Sequence, residues 1–253
     1  MIDLNKAREI YKEYLSNYDL NNDKIKSKVE HSYRVAKISR KITKDMNLNE
    51  EKQQLAELIG LLHDIGRFKQ YETFKNYNVI SQFDHGNYGA ELLSHEIRKY
   101  IETSKYDNII IKAVKNHNKY KIEENLTDEE LFFSKLIRDA DKIDILYECL
   151  NIFWKGKEEL INQSILSNET YEQFKKQKLI KIEKDRNYNT IDDMLITLAY
   201  TFDINFKESY KYIKEQDYIN RIMQRFNFKN IETKEKVKEL INLLNKYIEN
   251  ESK

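Results

Sequence analysis

Residues 61–67 read Leu61-Leu62-His63-Asp64-Ile65-Gly66-Arg67. An apolar run ends in an imidazole and a carboxylate on consecutive residues, and a glycine follows. A neutral ring nitrogen and a short carboxylate at a helix end can both turn toward one cation. Gly66 is expected to be the left-handed residue that stops the helix. A His-Asp dipeptide alone arises easily by chance, so its meaning depends on where the other histidines fall.

Working outward, Asn49 followed by Glu50 and Glu51 predicts a helix start, with a capping amide and acidic residues at the positive end of the dipole. Leu55, Leu58, Ile59 and Leu62 face inward along this helix, and His63 and Asp64 stand at its end. Upstream, residues 3–18 predict an amphipathic helix with Leu4, Ile10, Tyr11, Tyr14 and Leu15 inward. After a polar turn, His31, Val35, Ile38, Ile42 and Met46 recur at helical spacing, which puts His31 on a buried stripe. Downstream, Arg67, Phe68, Lys69, Tyr71 and Phe74 are expected on a short helix or loop, with Phe74 in simple packing. In the stretch Asp84-His85-Gly86-Asn87-Tyr88-Gly89-Ala90, little side-chain bulk follows His85, so another backbone or a ligand can approach closely.

His95 lies in the polar run Ser94-His95-Glu96 and is expected on the surface. Asp107 is expected to cap a helix on which Ile110, Ala113, Val114 and His117 share one face. Thr127-x-x-Glu130 has the form of a capping box opening a long helix. The inner face of that helix carries Phe133, Leu136, Ile137, Ala140, Ile143 and Tyr147, with Asp144 in its middle and Asp141 on its edge.

Proline is absent and there are only five glycines, so long helices joined by short polar turns are expected: an all-α protein. Lys plus Arg is 44 against 43 for Asp plus Glu, which leaves no net field to attract nucleic acid. Nucleic acid is therefore not expected as a partner. A single cysteine, Cys149, allows no intrachain disulfide. No apolar run reaches the roughly 18 residues of a membrane span, and the first residues lack the apolar core of a signal peptide. Together these features predict a cytoplasmic protein with no membrane association.

Residues 157–253 contain no histidine and no cysteine, and read as amphipathic helices with caps expected at Asn168, Thr190 and Asn205 and a loop at Lys184–Asn189. The final helix, residues 234–248, carries Val237, Leu240, Ile241, Leu244 and Ile248 on one stripe. That stripe is expected to pack on the body, with a homodimer surface as the alternative. The expected organisation is a helical core over 1–155 and a C-terminal helical extension over 156–253 packed on it as one continuous domain.

Four of the five histidines thus fall on or beside inward-facing positions, in the order His31, His63-Asp64, His85, His117, Asp141. Four unrelated buried histidines would each need a separate polar partner, whereas one shared metal site satisfies them all. This order resembles the HD-domain superfamily of metal-dependent phosphohydrolases over roughly residues 25–150. The resemblance is carried by VEHSYRVAKIS (29–39), LLHDIGRF (61–68), DHGNYGAELL (84–93), VKNHNKY (114–120) and RDADKIDIL (138–146).

The resemblance implies an all-helical fold in which His31, His63, Asp64 and Asp141 bind a first metal. His85 and His117 match the extra histidines of members that hold a second, with Asp64 bridging. Helical phase alone favours Asp144 as the last ligand; Asp141 is chosen because the family's final ligand follows an alanine, here Ala140. The implied cofactor is a pair of divalent ions, iron, manganese or another first-row metal. The implied activity is hydrolysis of a small phosphorylated metabolite or nucleotide by metal-activated water, with Asp64, Arg67 and Lys142 as catalytic candidates and the two cations neutralising phosphate. Asp84 and Asp144 are expected to orient ligating histidines. The competing expectations are a di-iron oxygenase of the inositol oxygenase kind, built on the same six ligands, and a non-enzymatic metal-stabilised regulatory module.

Overall fold

The computed structural model describes residues 2–77, 82–182 and 188–253, and every regular element among them is a helix. The chain divides into two compact units, Met1–Asp141 and Lys142–Lys253.

The first unit contains α1 (Leu4–Leu15), α2 (Asp23–Asp45), α3 (Glu50–Leu62), α4 (Ile65–Phe74), α5 (His85–Tyr100), α6 (Asp107–Asn116) and the part of α7 (Asp128–Glu148) that ends at Asp141. Side-chain caps set several of the starts. The Asn22 side chain accepts from the backbone N–H of Lys24 and Ile25, that of Asn49 from Lys52, and that of Asp84 from Asn87. At α7 the capping box is reciprocal: Glu130 Oε2 accepts from the Thr127 N–H at 2.8 Å and Thr127 Oγ1 from the Glu130 N–H at 3.3 Å. Asp107 does not cap α6; it is the first helical residue, and its carboxylate pairs with Arg98.

Two glycines decide how closely the helices cross. A Cβ on Gly60 would lie 2.7 Å from the Ala36 Cα, so α3 rests directly on the backbone of α2. A Cβ on Gly66 would lie 2.2 Å from the His85 carbonyl oxygen, so α4 touches the first turn of α5. This corrects the expectation for Gly66. It stops no helix: α3 ends at Leu62, Asp64 makes the corner at φ −98° and ψ 18°, and α4 begins at Ile65. The glycine is required there by a contact between helices rather than by a left-handed backbone.

Aromatic packing fixes α4 from its other side. Phe68 is fully buried, with the rings of Tyr11, Tyr14 and Tyr18 at centroid distances of 6.2, 6.2 and 5.7 Å. Phe74 packs on Phe83, as expected. The buried Glu57 carboxylate of α3 is held by Arg8 of α1 and Arg40 of α2, a charge that removal of either arginine would leave undercompensated.

The second unit begins within α7 and passes through a π-helical turn, Cys149–Phe153. It continues with α8 (Glu158–Gln163), α9 (Asn168–Phe174), α10 (Thr190–Leu198), α11 (Lys207–Gln216), α12 (Tyr218–Met223) and α13 (Ile231–Glu251). The caps of α9 and α10 are Ser167 and Asn189, one residue before those expected, and the residue in the cap position of α11 is Phe206, one after the expected Asn205. Of the loop expected at Lys184–Asn189, residues 184–187 lie outside the described residues. Val237, Leu240, Ile241, Leu244 and Ile248 are all buried, and α13 packs on α9 and α11, so its apolar stripe is covered within its own unit. Among the described residues no helix is long and apolar enough to cross a membrane.

Candidate metal centre

His63 and His117 occupy equivalent places, each immediately after the last residue of a helix, α3 and α6. The last carbonyls of a helix have no partner within it. His63 Nδ1 lies 2.7 Å from the Gly60 carbonyl oxygen, and His117 Nδ1 lies 2.6 Å from that of Val114. A carbonyl only accepts, so in both rings Nδ1 carries the proton and Nε2 presents a bare lone pair. The helix end thereby sets both tautomer and direction, as the partners behind metal-binding histidines do.

Those two lone pairs meet two further rings. His63 Nε2 is 3.2 Å from Nε2 of His31, which α2 carries on its buried stripe, and His117 Nε2 is 3.1 Å from Nε2 of His85, the first residue of α5. All four histidines are buried, as is Asp64. Asp64 stands between the two pairs and divides its oxygens between them. Oδ2 is 3.5 and 3.7 Å from the Nε2 atoms of His31 and His63. Oδ1 is 3.4 Å from those of both His85 and His117. Asp141 completes the first side, its Oδ1 lying 3.1 Å from His31 Nε2 and 3.8 Å from His63 Nε2.

The six residues singled out as ligands in the sequence therefore converge. The donor atoms of His31, His63 and Asp141 lie within 4.8 Å of one another, as do those of His63, Asp64 and His117. His95, by contrast, is exposed, as its polar neighbours predicted.

Electrostatics keep four of these groups, His63, His85, Asp64 and Asp141, in their ligating forms. Burial, partly offset by Asp64 and Asp141, pushes the His63 imidazole down to about 4. Burial and then the Arg67 charge hold His85 well below the usual histidine range. Burial works against ionisation of Asp64, yet Lys28, His63, His117 and Arg67 hold its carboxyl well below the usual aspartate range. At Asp141 burial is likewise overcome, here by a hydrogen bond from His31 and by the nearby rings. Near neutral pH His63 and His85 are thus neutral imidazoles, and Asp64 and Asp141 are ionised. Crowding such acceptors together in a buried space suits a metal cation, and the nitrogen and oxygen donors are ones that first-row divalent ions accept. The residues present fit the metals implied by the sequence.

Two cations flank Asp64, one on each oxygen. Lys28 Nζ donates to Oδ2 at 3.3 Å, and Arg67 Nε is 3.5 Å from Oδ1. Lys28 was not among the sequence candidates, although it stands three residues before His31 and so shares its helical face. Lys142 donates to the Asp203 carboxylate at 2.6 Å and to the Asp203 carbonyl at 3.2 Å. Asp84, expected to orient a histidine, accepts from Asn118 Nδ2 at 3.1 Å, and that amide nitrogen is 3.3 Å from His85 Nδ1. Asp144 is fully buried on α7.

Residues 29–146 match the family model described as the HD domain, and this stretch of the chain is an HD domain, a type typical of metal-dependent phosphohydrolases. No curated protein and no solved structure matches the chain.

Proposed function

We propose that the protein is a metal-dependent phosphohydrolase that cleaves a small phosphorylated metabolite or nucleotide. The observation that carries this is the division of Asp64: one carboxylate serves two separate histidine pairs, as a bridge between two cations requires. In this reading His31, His63, Asp141 and Asp64 Oδ2 would hold one ion, and His85, His117 and Asp64 Oδ1 would hold the other. A pair of divalent ions bound there supplies a water that ionises near neutral pH and a Lewis acid for a phosphoryl oxygen.

The remaining work falls to the chain's own side chains. The histidines, fixed through Nδ1 at two helix ends, need no rearrangement to present Nε2. Among the groups around Asp64, Asp141, Lys28 and Arg67 are each about one-fifth exposed while the four rings are almost fully covered. Substrate therefore approaches on the side where those three groups stand. Arg67 meets a phosphoryl group there with a charged, multidentate donor. Lys142 is left out of the machinery, because its ammonium is committed to Asp203.

The test is turnover of a panel of nucleotides and sugar phosphates by protein loaded in turn with manganese and iron. Release of inorganic phosphate that disappears on chelation is the expected result. Oxygen consumption by the iron form with a polyol or phosphonate, and failure on every phosphoester, would instead establish the oxygenase chemistry open to the same ligands.

A further inference from the structure

Arg67 is held more firmly than a surface arginine. Its Nη1 donates to Gln70 Oε1 at 2.9 Å and to the Tyr77 carbonyl at 3.1 Å. Gln70 is completely buried, and its own amide nitrogen reaches the same Tyr77 carbonyl at 3.4 Å. One edge of the guanidinium is thus fixed. Its Nε–H, buried and facing Asp64, makes no hydrogen bond among the described residues.

The Tyr77 ring lies against both cations that flank Asp64, 5.7 Å from the Arg67 guanidinium carbon and 6.0 Å from Lys28 Nζ. Its hydroxyl donates to the Lys24 carbonyl at 3.3 Å, which ties it to α2 one turn before Lys28. Tyr71 stands beside it with a ring separation of 5.0 Å. Two cations of different shape are therefore preset on opposite oxygens of one carboxylate, under a shared aromatic cover.

We propose that Lys28 and Arg67, with Gln70 and Tyr77 as positioning residues, form a two-point clamp for a dianionic phosphoryl group, so that the site takes phosphomonoesters in preference to phosphodiesters. The proposal rests on the hydrolase reading for its substrate class, but the clamp is a property of binding and is tested without turnover. The chemistry is that of charge matching. Two carboxylates against two divalent ions and two side-chain cations leave the centre strongly positive, which rewards a second negative charge on the ligand. The guanidinium offers a fork to one phosphoryl oxygen pair, and the ammonium offers a point charge from the other side. A diester has one charge fewer and carries a second organic group where the clamp needs a bare oxygen.

The experiment is calorimetric binding to the metal-loaded protein at pH 8, with metal content measured on each sample. The probes are inorganic phosphate, phenylphosphonate and the monomethyl ester of phenylphosphonate, none of which needs to be turned over. The wild type is expected to bind the phosphonate about tenfold or more tighter than its ester. Lys28→Met and Arg67→Met are each expected to weaken phosphate by about tenfold or more and to narrow that preference. Gln70→Leu is expected to raise Kd for phosphate, and KM for any phosphomonoester substrate, while kcat changes less; a merely structural role would not split the two. Should Arg67→Met lose metal, Arg67→Lys keeps the charge but loses the fork, and is expected to bind phosphate more weakly with its metal intact. Equal affinity for phosphonate and ester in the wild type, or wild-type phosphate affinity in metal-replete Lys28 and Arg67 variants, would overturn the clamp. Tight phosphate binding that depends on both cations, in a protein that hydrolyses no phosphoester, would leave the clamp standing and remove the hydrolase.

Discussion

The two sides of Asp64 are alike in plan and unlike in charge. Each has two imidazoles and one flanking cation, but among the described residues it is the Oδ2 side that has a second carboxylate, Asp141. A divalent ion on that side meets two negative charges close by, and one on the Oδ1 side meets a single shared charge. The difference teaches that, in the two-metal reading, the ions would not be equivalent: the first side would be the tight one, and the second would load later and exchange more readily.

The largest effects should expose that asymmetry. His117→Ala is expected to lower metal content by about one ion per chain while the other stays bound, read by elemental analysis. Asp141→Asn is expected to weaken the tighter ion by at least about 100-fold, more than the loss of an outer-shell partner costs. Equal losses at both sites in either variant would erase the comparison.

A smaller effect concerns how the second side is assembled. Gly66→Ala places a methyl group against the His85 carbonyl, so α4 and α5 must separate. We expect a loss of about 1–3 kcal/mol in thermal or denaturant unfolding, with metal lost from the His85–His117 side first. Unchanged stability would show that α4 can shift without cost.

The smallest effect lies near His117. Hydrogen bonds from Lys112 and Lys115 hold the Glu123 carboxyl down at about 2, and its backbone N–H donates to Asn116 Oδ1. A carboxyl depressed in the folded state contributes stability that is complete above the ordinary glutamate value of 4.5 and is lost as pH falls toward about 2. The pairs are partly exposed, so the contribution is below about 1 kcal/mol. Glu123→Gln is expected to lower Tm slightly at pH 7, and the difference from wild type should vanish on acidification through that window.

What the sequence made legible follows from local rules. The stripe bearing His31, the face shared by Val114 and His117, and the capping box at Thr127 are each read from spacing alone, and each is present. Choosing Asp141 over Asp144 was different. Helical phase favours Asp144, which is fully buried, and the resemblance, through the alanine before the family's last ligand, favours Asp141, whose carboxylate stands 3.1 Å from His31. Gly66 was misread because a glycine after a helical run has a strong local meaning, whereas its actual reason is the His85 backbone nineteen residues away in sequence. Gln70 and Tyr77 gave no sequence signal, since their importance lies in how they hold Arg67.

The central claim is that one carboxylate and its neighbouring imidazole organise both cation sites. It is tested most directly by elemental analysis of metal per chain in the purified protein and in the double variant His63→Ala, Asp64→Ala. The account predicts about two divalent ions in the first and none in the second, with circular dichroism showing helices retained. A double variant that keeps its full metal content would contradict it.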